Sequence, residues 1–89
     1  MRPRVDWMTQ GDERIMEFLY EKDIVASPSV IAANIDYTNE YISRRCRVLA
    51  DAELLQRIDA SNYRLTDFGE QFLNGELSSE DLQGPTSNG

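Results

Sequence analysis

Apolar residues recur at helical spacing in four segments of this chain, and two short apolar segments lie between the third and the fourth. The first helix is predicted over residues 10–22, with Thr9 as its N-cap and acidic residues in its first turn. A second helix is predicted over residues 28–35, because the preceding serine can cap it and a proline opens its first turn. The β-branched pair at 24–25 predicts a brief strand between these helices.

The second and third helices each carry a stripe of apolar side chains. In the second helix, the residues expected in the core are Val30, Ile31 and Ile35. The third helix follows Thr38, which is a good N-cap. At about 100° per residue, its buried stripe consists of Ile42, Cys46 and Leu49. Because buried thiols are inert, Cys46 is expected to be a small core residue and not a redox switch.

The opposite face of the third helix is basic. Arg44 and Arg47 point away from the buried stripe, and Asn39 and Ser43 flank that outer face. Arg45 falls near the edge of the stripe, so its stem has to run along the core before its guanidinium reaches out. We expect that guanidinium to meet either a phosphate or an acidic partner.

A hairpin and a fourth helix complete the pattern. Two short strands are predicted around Leu54 to Ile58 and Tyr63 to Leu65, and the residues at 59–62 between them are mostly turn formers. Arg57 and Arg64 lie on the two strands, either side of that turn.

The fourth helix is expected to begin after Thr66 and to allow close packing at Gly69. Its apolar positions are Phe68, Phe72, Leu73 and Leu77. From residue 78 onward the chain is polar, which predicts a disordered tail. The predicted organisation is an N-terminal arm over 1–8, one domain over 9–77 and the tail over 78–89.

Length and composition restrict the class of protein. A chain of 89 residues holds one small domain, and a single cysteine without any histidine excludes an internal disulfide and the usual mixed zinc sites. The acidic residues of the first helix, namely Asp12, Glu13, Glu17 and Glu21, are expected on its solvated exterior. We therefore expect no cofactor, no metal and no enzymatic activity. No secretory leader and no run of about 20 apolar residues is visible, so a cytoplasmic protein without a membrane partner is expected.

Charge is distributed unevenly along the chain. The net charge is -7, yet residues 41–64 carry five basic and three acidic groups. Residues 1–40 carry four basic and eight acidic groups, and residues 65–89 carry five acidic groups and no basic one. Eight of the nine basic residues are arginine, which suits bidentate contacts to phosphate and guanine, although a genomic bias would give the same count. An acidic exterior with one lysine is also typical of proteins adapted to high salt.

Several motifs together resemble one known family. They are Ser43-Arg44-Arg45-Cys46, the pair Leu54-Leu55, and Tyr63-Arg64-Leu65-Thr66 followed by Gly69. The chain resembles winged helix-turn-helix repressors of the MarR and ArsR type, and most closely the small phi-H phage repressor-like proteins of halophilic archaea, over residues 6–77. The resemblance implies a mainly α fold with a small β-hairpin wing, in the order helix, strand, helix, helix, strand, strand, helix. It also implies transcriptional repression in a salty cell.

A basic helix followed directly by a hairpin indicates how such a protein binds its partner. A winged helix-turn-helix presents one helix to the DNA major groove and its hairpin to the neighbouring backbone. The expected partner is double-stranded DNA, bound as a homodimer at a palindromic operator, with no small-molecule ligand. In the recognition helix, the expected DNA-binding residues are Thr38, Asn39, Ser43, Arg44, Arg45 and Arg47; in the wing, they are Arg57, Ser61, Asn62 and Arg64. Dimerisation is expected from the resemblance and from apolar residues near the two ends, which are Trp7, Phe72, Leu73 and Leu77.

Other interpretations of the same residues remain open. The outer arginines of the third helix could form a solvated face that balances nearby acids, and those of the hairpin could be ordinary surface charges. The alternative to DNA binding is a winged-helix protein-protein interaction module. Glu53 departs from the family, in which many members have glycine directly after the third helix. A left-handed glutamate costs about 1 kcal/mol, so the helix is expected to end differently or to extend by a residue.

Overall fold

A computed structural model gives the structure of the protein and describes residues 1–82. Its elements are α1 (Gln10–Lys22), α2 (Pro28–Ile35), α3 (Asn39–Asp51), β1 (Leu55–Arg57), β2 (Tyr63–Leu65), α4 (Asp67–Leu73) and a single 3₁₀ turn (Ser79–Asp81). The four predicted helices are therefore present, together with the predicted hairpin. Among these helices, none is long and apolar enough to cross a membrane in the part of the chain described.

Each helix begins at the predicted cap. The Thr9 hydroxyl accepts from the Asp12 amide at 3.1 Å, and the Asp12 carboxylate accepts from the Thr9 amide at 3.0 Å, which completes a capping box. Hydroxyls of the same kind cap the other helices, and they belong to Ser27, Thr38 and Thr66. The helix starts are consequently determined by local side-chain chemistry.

The sheet is smaller than predicted. β1 and β2 pair antiparallel, with Leu55 opposite Leu65 and Arg57 opposite Tyr63. The predicted strand at 24–25 is wrong, because only Ala26 forms a bridge, exchanging backbone hydrogen bonds of 3.0 and 2.9 Å with Tyr63. The chain leaves α1 at Asp23 and already caps α2 at Ser27, so no length remains for a longer ladder.

One core lies between the helices and the hairpin. Its fully buried residues include Ile15 and Met16 from α1, Ile31 from α2, Ile42, Cys46 and Leu49 from α3, Leu54, and Phe72 from α4. The predicted burial of Val30 is wrong, since its side chain is 47% exposed while Ile31 and Ile35 face the core. α2 has only eight residues, and its buried face is made by Ile31, Ala32 and Ile35.

Both ends of the described chain pack on the domain. The Arg2 Nε donates to the carbonyl of Leu73 at 3.0 Å, and the Trp7 Nε1 donates to the carbonyl of Leu82 at 3.2 Å. Leu82 is itself buried, after a turn in which the Asp81 carboxylate accepts from the Ser78 amide at 2.9 Å. The expected disorder from residue 78 is therefore wrong for 78–82, because one leucine beyond the polar run has a packing site beside Trp7. The rest of that predicted tail lies outside the described residues.

Candidate nucleic-acid interface

Helix α3 has a buried apolar face and an exposed basic face, as its helical spacing predicted. Ile42, Cys46 and Leu49 are fully buried, whereas Arg44 and Arg47 are exposed. Burial of the thiol raises the pKa of Cys46 to about 12, so the group remains protonated at neutral pH. Anchored through its apolar stripe, α3 presents its arginines to solvent.

A concave surface joins α3 to the N-terminus of α2 and to the wing, which we define as residues 55–65. Predicted residues that line it are Asn39, Ser43, Arg47, Arg57 and Ser61. Ser27 and Ser29 from the start of α2 also line it, and the Asn39 Nδ2 donates to the Ser29 hydroxyl at 3.4 Å. Neither serine was predicted to contact DNA, because Ser27 was expected only to cap α2.

Arg44 lies against an aromatic pair that was also missed. Its guanidinium carbon is 5.9 Å from the centre of the Tyr41 ring, and that ring stacks on Tyr37 at 5.3 Å between centroids with an interplanar angle of 22°. A cation over an aromatic face is attracted by the ring quadrupole. The spacing of four between the two tyrosines, on the turn and first part of a helix, was the available signal.

The two arginines of the wing lie on opposite faces of the hairpin. Side chains alternate along a strand, so Arg57 shares a face with Leu55 and Tyr63, while Arg64 lies opposite Gln56 on the other face. Arg57 lines the concave surface beside Arg47. Arg64 donates to the Gln56 Oε1 at 2.9 Å and lines a separate depression near Tyr20. The hairpin therefore brings one of the two predicted arginines to α3.

The tip of the wing is ordered by Asp59. Its carboxylate accepts from the backbone amides of Ser61 and Asn62 at 2.9 and 3.0 Å, and from the Asn62 side chain. The Ser61 amide is the main cause of a lowered pKa for Asp59. Arg57 donates to the carbonyls of Asp59 and Ala60 at 3.2 and 2.7 Å, so its guanidinium is held against the tip. Asn62 is committed to this turn, whereas Ser61 faces the concave surface.

Arg45 contacts an acidic residue, which was one of the two kinds of partner expected for it. Its Nε and Nη2 donate to the two carboxylate oxygens of Asp12 at 2.7 and 2.6 Å, and Nη2 also donates to the Trp7 carbonyl at 3.3 Å. The hydrogen bonds to Asp12 raise the pKa of Arg45. Arg45 is thus held by α1, and its contact with DNA stays a prediction that the proposal below does not use. The solvated position expected for Asp12 is wrong, because that residue is completely buried.

Close packing of α1 on α3 explains this pair. A Cβ added to Gly11 would lie 2.7 Å from the Tyr41 ring, so the start of α1 approaches α3 as closely as a glycine allows. Helical periodicity gave the direction of Arg45 from its own axis but not the identity of the neighbouring helix.

Known proteins share this architecture. A family model described as winged helix-turn-helix phage repressor matches residues 1–84. The chain belongs to this family. The repressor protein of Halobacterium phage phiH is 41% identical over 87 residues, which cover 93% of this chain and 98% of that protein. The crystal structure of the PhiH1 repressor-like protein from Haloarcula marismortui matches with a TM-score of 0.78 at 37% identity, over 85% of this chain and 88% of that one.

Membership of the winged helix-turn-helix phage repressor family confirms the predicted fold class and the resemblance from which it was inferred. It supports a DNA-binding repressor and a non-enzymatic protein. The high-salt character expected from the acidic composition fits the sources of both relatives.

Proposed function

We propose that this winged-helix repressor binds duplex DNA through the exposed face of α3 and one face of the wing. The observation that carries the proposal is the meeting of Arg47 from α3 and Arg57 from the wing on one concave surface of a chain with a net charge of -7. Phosphates require local positive potential, and this surface supplies it. A protein bound at an operator would block transcription. The proposed location of the protein is the cytoplasm.

The contacts divide by position. We propose that Asn39, Ser43, Arg44 and Arg47 reach base edges in the major groove, because they form the outward face of α3. We propose that Thr38 and Ser27, which cap α3 and α2, approach a phosphate through the N-termini of these helices, with Ser29 next to them in the first turn of α2.

In the wing, Arg57 and Ser61 would contact the adjacent backbone. Arg64 is left out of this surface because it faces the opposite side of the hairpin. Asn62 acts through the shape of the tip, since both its backbone and its side chain donate to Asp59.

A homodimer on a palindromic operator is part of the proposal. The molecule measures 31 × 31 × 22 Å, so two copies side by side can reach half-sites about 34–36 Å apart, the length of one helical turn of DNA. The apolar residues first expected at the dimer contact are largely used within the monomer, where Phe72 and Leu73 are buried. Sedimentation equilibrium of the free protein and of its DNA complex tests the stoichiometry. One copy per operator would refute the dimer.

DNA binding itself is tested by titrating the folded protein with its own upstream region and with mixed-sequence DNA of equal length, at low and high salt. The expected result is tighter binding to the upstream region, with both affinities falling as salt rises. The absence of binding to either DNA would refute the repressor proposal and favour a protein-protein interaction module.

Single substitutions test the division of roles. Arg44→Ala and Arg47→Ala are expected to remove sequence preference, whereas Arg57→Ala should weaken binding to every sequence alike. Arg64→Ala is the matched control, since it removes an exposed arginine from the other face of the same hairpin and should leave both affinities unchanged. Equal losses for Arg57→Ala and Arg64→Ala would contradict the proposed orientation of the wing.

A further inference from the structure

Two neighbouring arginines of α3 lie at the two ends of one chain of contacts. Arg44 lies over the ring of Tyr41, and the Tyr41 hydroxyl is 2.8 Å from the Thr9 hydroxyl. The Thr9 amide donates to the Asp12 carboxylate at 3.0 Å, and that carboxylate also accepts two hydrogen bonds from Arg45. This series of contacts therefore starts on α3 at Arg44 and returns to α3 at Arg45.

The centre of this network is buried. Asp12 is 0% exposed, and within the described segment 1–82 it is the one charged residue that is buried. The side chain of its partner Arg45 is 17% exposed. Two parallel, charge-assisted hydrogen bonds fix the orientation of a guanidinium as well as its distance. Because Asp12 is also held by the capping box, the pair connects α3 to the capped first turn of α1.

We infer that Thr9, Asp12 and Arg45 are positioning residues that set the rotation of α3 about its own axis, and with it the direction in which Arg44 points. Tyr41 transmits the constraint, because its hydroxyl is held by Thr9 while its ring carries Arg44. The inference rests on the proposed function, since it assigns these residues to sequence reading without a contact to DNA. A reading group has to be held within about 10–20° of its productive direction, which a second point of attachment on α1 provides.

A purely structural role would give a different result. If the network served only to keep the chain folded, its loss would reduce the folded fraction and lower the affinity for every DNA by the same factor. A positioning role predicts loss of discrimination while the general attraction to phosphate persists, because phosphate contacts carry no sequence information.

The experiment compares Asp12→Asn and Tyr41→Phe with the wild-type chain, using the upstream region and mixed-sequence DNA. Glu17→Gln is the matched control, since it makes the same chemical change on the same helix but faces Arg2 and not α3. For Asp12→Asn we expect an about tenfold fall in the ratio of the two affinities, and for Tyr41→Phe an about threefold fall, with mixed-sequence affinity retained. Glu17→Gln should change neither affinity. An unchanged ratio, or a parallel loss on both DNAs by folded variants, would overturn the inference.

Amide hydrogen exchange within α3, measured without DNA, separates this inference from the proposed function. Faster exchange at residues 42–47 is expected in both variants and not in the control. If Asp12→Asn does not fold, Tyr41→Phe still decides, because it removes one hydroxyl and leaves the buried ion pair intact. Wild-type protein that binds no DNA would refute the proposed function, whereas exchange unaltered in Tyr41→Phe would refute the positioning role even if DNA binding stands.

Discussion

The backbone of Glu53 adopts a left-handed conformation, which is unfavourable for a residue that has a Cβ. It has φ of 66°, its amide donates to the Ala50 carbonyl at 3.0 Å, and the Leu54 amide donates to the Leu49 carbonyl at 2.9 Å. Two such bonds form a Schellman ending, in which glycine is the usual left-handed residue. The expectation that glutamate would shift the helix end is therefore wrong. The helix keeps this ending, and β1 begins two residues after Glu53, at Leu55.

Replacing this residue should stabilise the protein. We predict that Glu53→Gly raises the free energy of unfolding by about 1 kcal/mol, since glycine has no Cβ to oppose a left-handed backbone. Urea denaturation at neutral pH measures the change. Glu53→Ala is the control, because it removes the charge but keeps the Cβ, and it should leave the free energy of unfolding nearly unchanged. Equal stabilisation by both substitutions would assign the effect to charge.

The cysteine gives a second prediction at this scale. Because burial raises the pKa of Cys46 to about 12, above the ordinary value of 9.0, the folded state retains a proton that the unfolded state loses between these values. Stability from this group is fully present below about pH 9 and falls as the pH rises towards 12. At pH 8, a thiol-specific reagent should label the chain only as it unfolds, with a rate that increases with urea. Rapid labelling of the folded protein would contradict the buried position.

At the scale of elements, close approach between segments decides the geometry. A Cβ added to Gly69 would lie 2.4 Å from the Leu54 carbonyl oxygen and 2.6 Å from a methyl carbon of Leu65. The start of α4 therefore touches the backbone next to β1 and the side chain at the end of β2. The close packing expected at this glycine is confirmed, and it is made against the hairpin.

Gly69→Ala should accordingly destabilise the fold. The expected fall in the free energy of unfolding is about 2 kcal/mol, because the clash with a carbonyl exceeds the gain of about 1 kcal/mol from alanine in a helix. Gln71→Ala, at an exposed position of the same helix, is the control and should be neutral or slightly stabilising. Thermal unfolding of the three chains measures both changes. A more stable Gly69→Ala would mean that α4 can move away from Leu54 freely.

The alternation of side chains along the hairpin separates its two arginines. The sequence placed Arg57 and Arg64 on either side of a turn, and both looked equally available. The register instead pairs Arg57 with Tyr63 and Arg64 with Gln56, which sends the two guanidinium groups to opposite faces. Register depends on cross-strand pairing, so the assignment required the structure.

At the scale of the whole molecule, basic groups at the proposed interface are few. The arginines exposed there are Arg44, Arg47 and Arg57, within a chain that carries 16 acidic residues. Arg45, the remaining arginine of α3, is neutralised by Asp12. General attraction to DNA should therefore be weak, with direct contacts supplying most of the discrimination.

The salt dependence of binding provides a count of these contacts. If each of the three exposed arginines, including the two that reach base edges, offsets about one phosphate charge and so releases about 0.9 counterions, the logarithm of affinity should fall with the logarithm of salt with a slope of about -3 for one copy and about -5 for two. Fluorescence anisotropy over a series of salt concentrations measures the slope, and Arg57→Ala should make it shallower. A slope near -10 would show that many more basic groups reach the DNA than this surface holds.

The sequence by itself determined the four helices, their caps, the buried stripe of α3 and the outward direction of Arg44 and Arg47. Each of these depends on residues within one or two turns of each other, so spacing and cap chemistry are sufficient to predict them. The family resemblance was likewise visible in the residues alone.

The tertiary structure decided the partner of Arg45, the separation of Arg57 from Arg64, and the burial of Leu82. Asp12 lies 33 positions from Arg45, and Trp7 lies 75 from Leu82. Helical periodicity orients a side chain about its own axis, whereas its partner depends on which element packs against that side. The bidentate pair therefore forms where α1 meets α3, a meeting that only the folded chain defines.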